Sequence, residues 1–224
     1  MHNISKNLRR ATRDLDLDFI KYSLGDEPIR NFINELDKSI DGISFEILDP
    51  IVSLCHQDYK GKRIILRIKD KFNNSMDSKL DIVVHNLFNL EQELYAFNFD
   101  IIELGANLLI NSCEQIFAEK MKSLLRFNIK STRYKDIFDF YYLIDNNLLN
   151  KDKLNNCFNV LIYSDVSMNV NNIIDLSEQF KNITNSRFYK NNLNNPKYNW
   201  LDINIDEAIK KIQTFLNSIT TISV

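Results

Sequence analysis

"RATRDLDLDF", residues 10–19, decides the fold of this chain. Asp14, Asp16 and Asp18 alternate with Leu15, Leu17 and Phe19. Strict polar/apolar alternation is the pattern of a half-buried strand, with its apolar side chains on a core face. Side chains at i and i+2 share a face, so the Cα atoms of Asp14 and Asp16 lie roughly 7 Å apart. Like charges at that spacing repel, and each raises the other's pKa. Such a set persists either as the solvated face of an edge strand or where a cation neutralises it. Oxygen-only ligands suit a hard cation such as Mg²⁺, which takes one or two carboxylates plus substrate phosphates. A D-x-D taken alone favours the solvated face, so the choice rests on what else in the chain converges with it.

Working outward, "EPIRNFINELDKSI" (27–40) spaces Ile29, Phe32, Ile33, Leu36 and Ile40 as an amphipathic helix. Pro28 fits its first turn. The runs "GISFEIL" (42–48), "KRIILRIKDKF" (62–72) and "KLDIVVH" (79–85) are strand-like, and the polar cluster "NNSMDS" (73–78) separates the last two as a turn. From about Asn107 the character becomes helical, through "CEQIFAEKMKSLLRF" (113–127), "RYKDIFDFYYLI" (133–144) and "IDEAIKKIQTFLNSI" (205–219). "NITNSRFYKNNLNNPKYN" (182–199) reads as a loop, and no internal repeat is present. The expected class is α+β, with a small mixed-sheet domain over 1–106 and a helical domain over 107–224.

Composition narrows the function. The 224 residues are 44% hydrophobic and 26% charged, which suits a soluble globular chain of one large domain or two small ones. Fifteen Phe and nine Tyr supply a sizeable core. Lys plus Arg (28) nearly balances Asp plus Glu (30), so net charge selects no partner class. No apolar run reaches membrane-spanning length and no secretory leader follows Met1. Cys55, Cys113 and Cys157 form neither a metal spacing nor a disulfide framework, so a reducing cytoplasm is expected. His2, His56 and His85 are equally scattered, which argues against zinc. Neither G-x-x-x-x-G-K nor G-x-G-x-x-G occurs, which excludes the usual P-loop and Rossmann sites.

Other groups are placed where they need partners. Asp81 lies in an apolar run with Ile82, Val83 and Val84, which reads as a strand buried on both faces. A carboxylate there is costly unless it is paired or bound to metal. Either Asp81 begins the strand, solvated or paired with Lys79, or it is a third member of the Asp14–Asp16 set. In 113–127, Ile116, Phe117, Met121, Leu124 and Leu125 cover one helical face, and Lys120 falls within that arc while Glu119, Lys122 and Arg126 fall outside. Lys120 either snorkels to the surface or reaches into a cleft, where an ammonium binds phosphate as a point charge. Asp136 and Asp139 share a face of a nearly all-apolar helix, and Lys135 stands four residues before Asp139. That helix should be deeply packed, so its two aspartates need partners. Residues 119–135 carry Lys120, Lys122, Arg126, Lys130, Arg133 and Lys135 against Glu119, and Lys6, Arg9, Arg10 and Arg13 precede the acidic strand. These are either ordinary solvated faces or a basic rim suited to a polyanionic substrate.

Four segments in this order, "RATRDLDLDF", "KLDIVV", "CEQIFAEKMKSLLRF" and "RYKDIFDFYYLI", resemble the AbiEii/AbiGii nucleotidyltransferase toxins of bacterial toxin–antitoxin systems. Arg10 and Thr12 lead to Asp14 and Asp16; Lys79 and Asp81 match a K-x-D; Glu119 and Lys120 match an E-K helix; Lys135, Asp136 and Asp139 match K-D-x-x-D. The closing "YNWLDINIDEAIKKIQTFLNSI" resembles the family's C-terminal part, so the likeness spans nearly the whole chain. It implies a polymerase-β-like nucleotidyltransferase fold with an appended helical domain. It also implies transfer of a nucleotide from a nucleoside triphosphate to RNA, notably the 3′ end of tRNA, with Mg²⁺ and with a block on translation. A cognate antitoxin is an implied partner. The implied catalytic set is Asp14, Asp16, Asp81, Lys120 and Asp136. Asp14, Asp16 and Asp81 would hold the metal, and Arg10, Lys120, Lys135 and Asp139 would serve the nucleotide.

One family feature has no counterpart. A glycine followed by Gly, Ser or Thr is expected before the D-x-D, to cradle the triphosphate with backbone N–H groups, and "MHNISKNLRRATR" contains none. The resemblance therefore implies a sheet domain incomplete at its N-terminal edge. It leaves an alternative function: a catalytically impaired relative that binds nucleotide or a partner protein. A small-molecule nucleotidyltransferase is a third possibility, disfavoured by the basic segments because a small acceptor needs no positive rim.

Overall fold

A one-turn helix, α1 (His2–Ser5), and a 3₁₀ turn (Leu8–Arg10) precede strand β1 (Asp14–Phe19), the alternating stretch. The computed structural model describes residues 1–10, 14–19, 22–39, 41–54, 61–84, 90, 92–99 and 102–219. Thr12, Cys55, His56 and His85 lie outside the described residues. The chain forms two compact units, one essentially Lys6–Phe88 and the other Asn89–Val224 together with Met1 and residues 3–5.

In the first unit, β1 is followed by helix α2 (Asp26–Ser39) and strands β2 (Ile43–Leu54), β3 (Gly61–Asp70) and β4 (Ser75–Val84). The sheet order is β1-β4-β3-β2. β1 runs parallel to β4, whereas β2–β3 and β3–β4 are antiparallel, so the sheet is mixed. Ile29 and Ile33 of α2 are buried with Ile64, Leu66, Leu80 and Ile82 of the sheet. Leu17 and Phe19 join that core, and the Phe19 ring meets Phe32 edge-on at 4.9 Å between centroids. Asp26 and Glu27 in the first turn of α2 complement its dipole. Leu17 and Phe19 thus face the helix, and Asp16, between them in the alternation, belongs to the opposite face. The expected turn at 73–78 is shorter in the structure. Asp70 caps it by accepting from the backbone of Phe72 and Asn74, Asn73 takes a positive φ of 64°, and Ser75 already belongs to β4.

The second unit opens with a hairpin, β5 (Gln92–Phe99) and β6 (Ile102–Asn111), that the sequence patterns did not suggest; β6 also occupies 107–111, expected to begin the helical region. Helices α3 (Cys113–Phe127), α4 (Tyr134–Asp145), α5 (Lys151–Phe158), α6 (Ile173–Asn185), α7 (Arg187–Leu193) and α8 (Ile205–Asn217) follow. They share a core that includes Phe117, Met121, Phe138, Phe158, Phe180 and Ile212. The segment expected to be a loop at 182–199 contains the end of α6 and all of α7, because Tyr189 and Leu193, four apart, bury fully into this core. Asn150, Asn172 and Asn204 each accept two backbone N–H groups at the starts of α5, α6 and α8, and Ser112 caps α3. No helix among the described residues is long and apolar enough to cross a membrane.

Candidate active site

The mixed sheet brings the acidic positions of two distant segments together. In the β1–β4 register Asp14 is opposite Lys79, and Asp16 is opposite Asp81. Residues paired across neighbouring strands point to the same face, with strand axes about 4.8 Å apart. The β3–β4 register then sets Arg63 opposite Asp81. Asp16, Asp81 and Arg63 therefore form one row across three strands, on the face away from α2.

Asp81 is 8% exposed, while Asp16 is exposed at the sheet edge. Asp81 lies well inside β4 rather than at its start. Its cost of burial is met by Arg63, whose Nε and Nη2 donate to Oδ1 and Oδ2, each at 2.7 Å. A planar guanidinium fork on a carboxylate is a strong, orientation-fixing pair. The same geometry recurs four residues along the same two strands, where Arg67 donates to both oxygens of Asp77 at 2.8 and 2.9 Å. Arg63 did not emerge from the sequence, although a signal exists. Arg63 and Arg67 are four apart, as are Asp77 and Asp81, and folding a hairpin about residue 72 pairs them crosswise.

The second unit builds a different network. Lys120 on α3 lies within the apolar arc, and its Nζ donates to Asp136 Oδ1 at 2.5 Å and pairs with Asp139 Oδ2 at 3.0 Å. Asp139 is completely buried and Asp136 nearly so. Arg133 Nε donates to the other oxygen of Asp136 at 2.6 Å, and the Trp200 indole N–H donates to Asp139 Oδ1 at 3.1 Å. Two cations thus offset two carboxylates, and the need for partners inferred from the apolar character of α4 is met. Arg133 and Trp200 are additions to the sequence-derived set. Burial, together with the negative charge of Asp136, pushes the nearby Tyr189 phenol well above its ordinary range.

The remaining candidates are placed as follows. Arg10 closes the 3₁₀ turn before β1, and Lys135 is half-buried in the first turn of α4. Much of the basic run at 119–135 is neutralised internally. Lys122 and Arg126 both pair with Asp165, at 3.0 and 2.7 Å, and Arg133 serves Asp136. The Ser167 hydroxyl and Lys122 hold the Asp165 carboxyl down at about 2. A cavity of about 380 Å³ on this unit is lined by Arg126, Ser167 and Asn169 among others, and by none of Lys120, Asp136 or Asp139.

Paired carboxylates on adjacent strands of a mixed sheet, followed in the chain by a set of helices, are compatible with a nucleotidyltransferase fold. The sequence matches the family described as "Nucleotidyl transferase AbiEii toxin, Type IV TA system" over residues 2–199. The chain belongs to that family. No curated protein matches it in sequence. Trp200, which holds Asp139, stands one residue beyond the matched segment.

Proposed function

We propose that this chain is a toxin that transfers a nucleotide from a nucleoside triphosphate to RNA, with the 3′ end of tRNA as acceptor, and so blocks translation. The observation that carries this reading is the placement of Asp16 beside Asp81 on one sheet face in a chain of this family. Oxygen-only donors from two adjacent strands fit a hard cation such as Mg²⁺. Asp14, Asp16 and Asp81 would hold it, and when bound it would neutralise charge on the attacking and leaving oxygens of an in-line displacement.

The chain's own residues have these roles in the reading. Asp81 orients the acceptor hydroxyl and receives its proton. Lys120 neutralises triphosphate charge, and a fixed ammonium costs no reorganisation as charge develops. Asp136 and Asp139 fix that ammonium from two sides. Arg10 and Lys135 add positive charge toward the nucleotide.

A second reading, a relative that binds nucleotide or a partner without transferring, has one observation in its favour: Arg63 takes both oxygens of Asp81. The test is incubation of the chain with Mg²⁺, each labelled nucleoside triphosphate and total tRNA, beside an Asp14→Asn/Asp16→Asn control. Label on RNA from the unmutated chain alone is the expected result. No label on any RNA moves the weight to the binding role. Induced expression should arrest growth, and the same double substitution should relieve the arrest.

A further inference from the structure

Each carboxylate that holds Lys120 is itself held from behind. Asp136 offers Oδ1 to the Lys120 ammonium and Oδ2 to Arg133 Nε. Asp139 offers Oδ2 to the ammonium and Oδ1 to the Trp200 indole N–H. The pattern is the same twice: one oxygen toward the lysine, the other toward an outer donor. The torsion that turns an Asp carboxylate is soft, so a carboxylate with a single partner pivots to follow it. A carboxylate held at both oxygens pivots only by giving up a hydrogen bond. An ammonium has three N–H donors. The contacts with Asp136 and Asp139 take two of those directions, and tetrahedral geometry sets the third. The outer donors are fixed in turn. Arg133 stands three residues before Asp136 at the start of α4, where helix geometry brings the two together. Trp200 is 2% exposed, and its ring packs on Tyr142 at 5.5 Å between centroids. The indole adds no charge to the network; what it adds is a fixed direction for Asp139.

We infer that Arg133 and Trp200 are positioning residues for Lys120: each locks one of the two carboxylates that aim the ammonium, and so sets how well it meets the triphosphate. The inference rests on the reading of Lys120 as a nucleotide-binding group. Neither outer residue touches the nucleotide in this role. When an outer donor is lost, its carboxylate turns toward the lysine, and the ammonium follows the carboxylate rather than the phosphate. The effect of either residue on nucleotide binding therefore passes through Lys120 and disappears with it.

The test is binding of fluorescent, non-hydrolysable nucleoside triphosphate analogues, one for each base, to the full chain with Mg²⁺, followed by anisotropy at a temperature where circular dichroism shows every variant folded. Trp200→Phe keeps the ring and removes the N–H, and should weaken binding about tenfold, as should Arg133→Met, the scale of one hydrogen bond to a charged group. Lys120→Met should weaken it further than either. In the Lys120→Met background, adding Trp200→Phe or Arg133→Met should cause no additional loss, the non-additivity of groups that act through one another. Lys120→Gln stands in if Lys120→Met does not fold. Either outer variant binding as tightly as the unmutated chain overturns the role of its residue, and so does an undiminished loss in the Lys120→Met background; both results leave the proposed function standing. Binding unchanged in Lys120→Met overturns the inference together with the role of Lys120. Absence of binding by the unmutated chain to every analogue overturns both the inference and the proposed function.

Discussion

Asp139 is a fully buried carboxylate whose donors include the Lys120 ammonium and the Trp200 indole. Trp200→Phe keeps the ring in the core and removes only the N–H. It should cost about 1–3 kcal/mol in urea unfolding, the usual penalty for leaving a buried acceptor short of a donor. Lys120→Met removes the ammonium shared by two buried carboxylates, leaving Asp136 with Arg133 and Asp139 with Trp200 among its donors, and should cost more, about 3–5 kcal/mol, with much of the loss restored by adding Asp136→Asn and Asp139→Asn. Asp165 makes a pH-dependent contribution. Its carboxyl is held at about 2 against an ordinary 3.8, first by Ser167 and then by Lys122. A depressed folded-state pKa stabilises the fold above the ordinary value, and that contribution disappears as pH falls from about 4 through about 2. Acid titration of stability should therefore be shallower over that window in Asp165→Asn than in the unmutated chain. At this scale the sequence was informative about which charges needed partners and silent about who the partners were. The all-apolar setting of Asp136 and Asp139 announced the need, but Trp200 is 61 residues from Asp139 and no local pattern links them.

At the scale of elements, the abundance of asparagine has a structural use. Asparagine side chains cap three helices, and Asn73, Asn128, Asn147 and Asn169 take positive φ values in a chain with four glycines. Asn tolerates such backbone better than other non-glycine residues. Asn204 accepts from Asp206 and Glu207 at the start of α8, and Asn204→Ala should lower stability by about 1 kcal/mol, measured as a shift in the urea midpoint without a change in slope. Strands with strict alternation and helices with clear periodicity were legible. The β5–β6 hairpin was not: paired residues such as Leu94 and Leu109 both stay exposed, so the apolar positions among its described side chains do not mark a buried face. Helix α7 was hidden by its polar composition, with Tyr189 and Leu193 as its only fully buried anchors among the described residues.

At the scale of the whole molecule, two separate cores carry the two sets of candidate residues. Ile82, fully buried, lies beside Asp81 in the sheet core, and Phe138, also fully buried, lies between Asp136 and Asp139 in the helical core. Ile82→Ala and Phe138→Ala should destabilise by about 2–5 and 3–5 kcal/mol respectively. Hydrogen exchange read by mass spectrometry should localise the loss of protection to 61–84 for the first and to 113–145 for the second. The compact units divide between Phe88 and Asn89, which groups the hairpin with the helices rather than with the sheet.

The sequence by itself determined the mixed α+β class, the acidic face of β1 opposite its apolar one, and the identity of the lysine and aspartates that demand partners. Those are properties of spacing along one segment, and a period of two or of 3.6 residues is written locally. Only the tertiary structure decided that Asp16 stands beside Asp81, that Arg63 grips Asp81, and that Trp200 reaches Asp139. Each of these depends on strand order, strand register or the return of a distant helix. Such long-range choices are made by burial of the whole core, and no short stretch of sequence encodes them alone.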